Sequence, residues 1–266
     1  MMVRGILATL ALFWVGGTTA QAQSKLNAHY VLSLAGITIG GGDWMAEIGK
    51  DRYTAKSNGE LLGVWRMILG SDIKATTNGS IAQGRFTPVN YGANFAWDDD
   101  IDDVKIQFRD GAVSEMEVKP TITLESDRVP LAGLEGVIDP QTAGLIQMPG
   151  TKDVMVPAVC QRTLPIFDGS QRYELTLSFK RMDDISTEKG YHGPVVVCTM
   201  AYRPVAGYSP SSFRVKYLQK NRDMEIWFAP IAGSRLLAMI RIVIPTTVGT
   251  ALLKATQFES TAPPPH

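Results

Sequence analysis

Polar and apolar residues alternate along most of this chain, which is the period of a half-buried β-strand. In "RYELTLSFK", Tyr173, Leu175, Leu177 and Phe179 fall on one face while Arg172, Glu174, Thr176, Ser178 and Lys180 fall on the other. Val104/Ile106/Phe108, Phe213/Val215/Tyr217 and Met224/Ile226/Phe228 repeat the pattern. The β-branched and aromatic runs "YVLSLAGITIG", "RYTAKSN", "VVVCTMAYRP", "RIVIPTT" and "LLKATQFES" add further strands. Turn signals recur at Asn78-Gly79, Asp110-Gly111 and Asp168-Gly169. The last predicts a two-residue hairpin joining a strand at Thr163–Phe167 to one at Gln171–Phe179. "GITIGGGDW" reads as a loose turn between the first two strands, since no helix follows to complete a phosphate cradle.

Two segments depart from the alternation. "LLGVWRMILG" places Leu61, Val64, Trp65 and Ile68 on one stripe with Arg66 as its only charge, and reads as a short, mostly buried helix. "DPQTAGLIQMPG" has Asp139 as N-cap, Pro140 at the first helical position and Pro149-Gly150 as terminator, and reads as a second. The fold class expected is all-β. Roughly twelve to fourteen strands, mostly hairpin-linked, form one long antiparallel sheet curled into an open barrel or β-spiral, with the two helices against or inside it. Pro157, Pro165, Pro204 and Pro245 argue for open edges rather than full closure.

The start of the chain changes the setting. Arg4, an apolar run from Gly5 to Gly17 and then Ala20-Gln21-Ala22 form the order of a secretory signal peptide cleaved after Ala22. The domain reading is thus a signal peptide over 1–22, one curved β domain over 23–260 and a disordered polyproline-like tail over 261–266. Periplasmic localisation is expected. Without Arg4 the chain carries 25 basic and 26 acidic side chains. That balance offers no basic face for nucleic acid. The longest later apolar stretch, "LLAMIRIVIP", is interrupted by Arg241 and ended by Pro245, so no integral membrane protein is expected.

Export also governs the candidate chemistry. Cys160 and Cys198 are the two cysteines, and an oxidising compartment pairs them as a disulfide. Zinc would want about four ligands at short spacing, and the chain has three histidines, none near Cys160. Asp98, Asp99, Asp100, Asp102 and Asp103 could supply calcium with oxygens, but lack the Gly and closing Glu of an EF-hand loop; they read as a solvated hairpin turn. No G-x-S-x-G occurs, and His29 and His192 are poorly placed as catalytic bases. No catalytic residue, metal or cofactor is therefore assigned. The candidate binding residues are Leu61, Val64, Trp65 and Ile68, on a helix that either fills the sheet or encloses an apolar cavity with it.

The phrases "VIDPQTAGL", "CQRTLPIFDGSQRYELTL", "GPVVVCTMAYRPVAGY", "NRDMEIWFAP" and "IPTTVGTALLKATQF", running from Val137 to Phe258, resemble an exported bacterial family, domain of unknown function 3108. "YVLSLAGITIGG" and Pro88–Tyr91 extend the likeness into the first half. The resemblance implies an exported, mostly antiparallel β protein with no established catalytic residues. The architecture also looks like that of periplasmic β-spiral and open-barrel envelope proteins, including lipoprotein carriers. The function expected is non-enzymatic. The concave face would bind an apolar, lipid-like or amphipathic envelope component, or an envelope protein partner. A hydrolase of envelope polymers or lipids using carboxylates and a structural protein with a filled core are the alternatives.

Overall fold

The computed structural model describes residues 24–63, 72–97, 100–119, 129–149 and 155–262. Among these, fifteen strands join in one sheet. The first seven are β1 (Ser24–Leu34), β2 (Ile37–Ile48), β3 (Arg52–Leu61), β4 (Asp72–Ala82), β5 (Arg85–Trp97), β6 (Asp100–Arg109) and β7 (Ala112–Lys119). They form an antiparallel meander. The rest are β8 (Leu145–Gln147), β9 (Arg162–Phe167), β10 (Arg172–Ser186), β11 (Lys189–Gly190), β12 (His192–Ala206), β13 (Glu225–Pro230), β14 (Leu236–Thr246) and β15 (Gly249–Thr261). The strand order is β7-β6-β5-β4-β3-β2-β1-β15-β14-β13-β12-β10-β9, with β8 beside β14 and β11 beside β15. The first and last strands are therefore neighbours in the middle of the sheet, and β7 and β9 are its ends.

These two ends approach each other without pairing. One connecting segment lies between them: Gly136 N–H donates to Gly111 O at 2.7 Å on the β7 side, and Ile138 N–H donates to Pro165 O at 2.8 Å on the β9 side. The sheet is thus curled but open, as expected, although of the four prolines that argued for open edges Pro157 starts the turn before β9, and Pro204 and Pro245 stand in the inner strands β12 and β14. Pro165 sits in the terminal strand β9, where a missing N–H costs no ladder bond to a further strand.

Three apolar clusters fill the curl. One packs Leu26, Tyr30, Trp44 and Tyr53 of the meander against Val195, Trp227 and Ile240 of the later strands. A second surrounds Cys160 and Cys198, with Val159, Phe228 and Leu237. A third joins Tyr91, Val104 and Ile106 to Leu134, Val137 and Phe167. The predicted disulfide is present, with the two Cα atoms 5.5 Å apart. It ties a 3-10 turn (Pro157–Cys160) to β12, and neither cysteine is exposed.

Several local expectations need correction. The Asp139 segment is helical only over α1 (Pro140–Ala143), because Gly144 ends it and Leu145–Gln147 pairs with Leu236–Ala238 of β14. Phe213, Val215 and Tyr217 lie on a helix, α2 (Phe213–Lys220), and not on a strand. Ser212 caps it by accepting from Val215 N–H, and local capping overrides an ambiguous alternation of three. Asn78-Gly79 is no turn but lies within β4, at a register shift opposite Asn90 and Pro88 of β5. The loop after β9 spans four residues rather than two: Gly169 has φ +99°, and the Asp168 carboxylate accepts from Ser170 N–H and Gln171 N–H. Asp110 and Gly111, by contrast, both take positive φ in the tight β6–β7 turn. Leu61, expected to open a helix, instead ends β3, and the expected signal peptide, the Asp98–Asp99 part of the acidic run and the expected helical residues from Val64 to Gly70 lie outside the described residues.

Candidate functional site

The triple glycine Gly40–Gly42 sits within β2 and not in a turn, which corrects the sequence reading. The β1–β2 turn comes earlier, at Ala35 (φ +51°) and Gly36 (φ +83°). Inside β2 the glycines allow backbones to approach closely. A Cβ on Gly42 would lie 2.1 Å from Asn58 O and 2.7 Å from Gly59 Cα of the neighbouring strand, so any side chain there must push β3 aside. Gly42 also pairs in register with Gly59. Two facing positions thus carry no side chain, and both border a space inside the curl.

That space is a cavity of about 440 Å³, within the roughly 300–1,000 Å³ usual for small-molecule sites. Tyr30, Leu32, Trp44, Phe95, Met239 and Leu253 give it an apolar wall drawn from β1, β2, β5, β14 and β15. Asn58, Glu60, Asp72 and Ile73 are its exposed lining residues, which places the rim on β3 and β4. No Lys, Arg or His is among the described lining residues.

Helix α1 forms one side through Pro140, Gln141 and Gly144. It is anchored from below by a buried polar network. Asp139 Oδ1 accepts from Gln141 N–H (2.9 Å) and Thr142 N–H (3.0 Å), and Oδ2 accepts from Thr77 Oγ1 (2.9 Å) and Thr142 Oγ1 (2.5 Å). The Tyr53 hydroxyl shares a hydrogen bond of 2.6 Å with Thr142 Oγ1. Gln141 Nε2 donates to Ser57 Oγ at the cavity wall. From the other side, Tyr30 OH donates to Met239 O at 2.5 Å, and Met239 N–H donates to Gly144 O at 3.0 Å. The wall is therefore held by bonds that leave the cavity's interior apolar. One donor is left over: the indole Nε1 of Trp44, which is 4% exposed, has no hydrogen-bond partner among the described residues.

Of the sequence-predicted binding residues, Leu61 lines this cavity, while Val64, Trp65 and Ile68 lie outside the described residues. The rest of the wall was missed by sequence reasoning. Its signal was Gly40–Gly42 followed by Gly59, a glycine run and a lone glycine that a hairpin could place side by side. His29 Nδ1 lies 2.7 Å from an Asp43 carboxylate oxygen between β1 and β2, with both side chains partly exposed. Asp102 and Asp103 stand in β6, where Asp103 accepts from Asn94 Nδ2 and pairs with Lys105. Among the described residues no three metal-ligating side chains cluster, and no helix is long and apolar enough to cross a membrane.

The glycine packing makes a direct prediction. Gly42→Ala is expected to destabilise the fold by about 1–3 kcal/mol, because the clash is with backbone and cannot be relieved by a rotamer change. Urea unfolding monitored by tryptophan fluorescence measures it, and an unchanged midpoint would mean that β2 and β3 separate without cost.

A family model described as "Protein of unknown function (DUF3108)" matches residues 27–256. Among solved structures, the chain is similar to a beta-barrel-like protein of domain of unknown function DUF1849 from Brucella abortus. The TM-score is 0.47 at 12% identity, covering 90% of this chain and 98% of that one. A search of curated proteins gives no significant match.

Proposed function

We propose, from the premise that the chain belongs to the DUF3108 family, that it is an exported, non-enzymatic binder of an apolar or amphipathic component of the cell envelope. The observation that carries this reading is the cavity of about 440 Å³ walled by Tyr30, Leu32, Trp44, Phe95, Met239 and Leu253. A void with such a wall forgoes the dispersion contacts that a filled core would make. The unpartnered Trp44 N–H supports a ligand with a hydrogen-bond acceptor along its length. The lack of lining cations among the described residues favours a polar end that is neutral or cationic over an anionic one.

The signal-peptide order at the start of the chain supports export, and with it the periplasm as place of work. The hydrolase alternative has no comparable observation behind it: of the lining carboxylates, Asp43 is engaged by His29 at 2.7 Å, and Glu60 and Asp72 stand exposed at the rim. Native mass spectrometry of protein extracted gently from its own compartment tests the reading. A bound mass that leaves on denaturation is expected. With purified protein, Leu32→Trp should fill the cavity and lower the affinity for the apolar dye N-phenyl-1-naphthylamine at least tenfold with an unchanged circular dichroism spectrum. A bare native mass together with no dye binding by wild type would overturn it.

A further inference from the structure

Charge is unevenly distributed in this chain, which has 20% charged residues. From Val31 to Gly42, and again from Ile242 to Leu253, two stretches of twelve residues contain none. The fold brings these two stretches together. They are the β1–β2 and β14–β15 hairpins, joined where Ala35 N–H donates to Thr250 O at 3.0 Å. A Cβ on Gly249 would lie 2.6 Å from that of Ala35, so the two turns are in contact. At their tips stand the most exposed aliphatic side chains described, Ile37 at 63% and Val248 at 68%. Leu62, 45% exposed, joins them through its N–H donated to Ile39 O at 2.8 Å.

We propose that this paired hairpin end docks the protein on a lipid surface. Three observations favour a membrane over a protein partner. The exposed aliphatics cap two protruding turns, a shape suited to shallow insertion between headgroups. Part of the turn backbone is satisfied internally: besides the Ala35 bond, Thr246 Oγ1 donates to Gly249 O at 2.5 Å and Val248 N–H donates to Thr246 Oγ1 at 3.2 Å. Each such bond lowers the cost of taking the tips out of water. Third, Leu32 and Leu253, paired across β1 and β15, line the cavity and lie only about 10 Å along β1 from the turn, at roughly 3.3 Å per residue. The docking end is thus continuous with the cavity wall, and an apolar ligand could pass between bilayer and cavity without crossing bulk water. Docking stands on the hairpins and does not require that the cavity be filled.

Flotation with phosphatidylcholine vesicles tests the inference. Wild-type protein is expected to float with the vesicles equally at low and high salt, because the contact is uncharged and unscreened. Ile37→Asp and Val248→Asp, both at exposed positions that spare the core, should each weaken partitioning at least roughly tenfold, with unchanged unfolding midpoints. Dye binding measured on the same variants should stay at the wild-type level, which separates docking from ligand binding. Wild type that stays with the bulk solution, or variants that float like wild type, would overturn the proposal. Binding that vanishes at high salt would assign it to charged residues elsewhere and equally overturn it.

Discussion

Replacing Cys160 and Cys198 together by alanine is expected to lower the free energy of unfolding by about 4 kcal/mol. The bridge closes a loop with a sequence separation of 38 residues, and the chain-entropy model gives roughly that value for a loop of this size. This is a large share of the roughly 5–15 kcal/mol typical of a folded domain. Both cysteines are wholly buried among Val159, Val196 and Phe228, so loss of their packing adds to the effect. Burial also makes the bond resistant: a reductant should leave the native protein two hydrogens lighter than the reduced form until denaturant opens the core. Urea unfolding with and without reductant, read against intact mass, measures both. Equal midpoints would show that the bridge does not stabilise the native state.

The second large effect is expected at Asp139. Asp139→Ala removes the acceptor for two backbone N–H groups and the hydroxyls of Thr77 and Thr142, all at the base of α1. A lost N-cap costs about 1–2 kcal/mol, its backbone donors included; the Thr77 hydroxyl keeps Asn90 O as a partner, and the Thr142 hydroxyl, left without its acceptor, adds roughly 1–3 kcal/mol. The total expected is about 2–5 kcal/mol, with loosening of the cavity side that α1 forms. Asp139→Asn should be much milder, since the amide oxygen still caps the helix and the two hydroxyls can turn to accept from its NH₂. The two variants also separate charge from shape. Burial holds the Asp139 carboxyl above the usual carboxylate range, the loss of hydration outweighing its four hydrogen bonds. The folded state therefore keeps its proton to higher pH than the unfolded chain does. This contribution is full below the unfolded value, about pH 4, and is lost as pH rises through the folded value. The stability of wild type relative to Asp139→Asn should thus fall as pH rises above about 4. A difference that rises with pH would mean that the hydrogen bonds win instead.

What could be read from the chain follows from the range of the forces involved. Strands such as β6, with Val104, Ile106 and Phe108 all buried, follow from local alternation. The N-cap at Asp139 and the disulfide were equally legible, because a cap is settled within three residues and two cysteines leave one pairing. The length of the helix after Asp139 was not, since Leu145 and Ile146 are claimed by Leu237 and Ala238, some ninety residues away in sequence. Phe213–Tyr217 failed for the opposite reason, as three alternating positions fit either period until Ser212 decides. The cavity was the least legible feature. Its wall depends on which glycines end up side by side, and the register of β2 against β3 is a property of the folded sheet. Only Leu61 of the expected binding residues falls on the described wall.

The pairing of β1 with β15 reaches beyond architecture into kinetics. Its register couples Lys25 to Thr261, so almost the whole chain is the loop that must close before the central ladder can form. Such non-local pairing slows folding into roughly the millisecond-to-second range or beyond, because the entropy of closure falls due before its contacts form. Until β15 arrives, β1 keeps an unpaired edge, open to partners that bind extended chain. A polypeptide with this connectivity can form its two runs of neighbouring strands early, but it joins them into one sheet only when its last strand has been made.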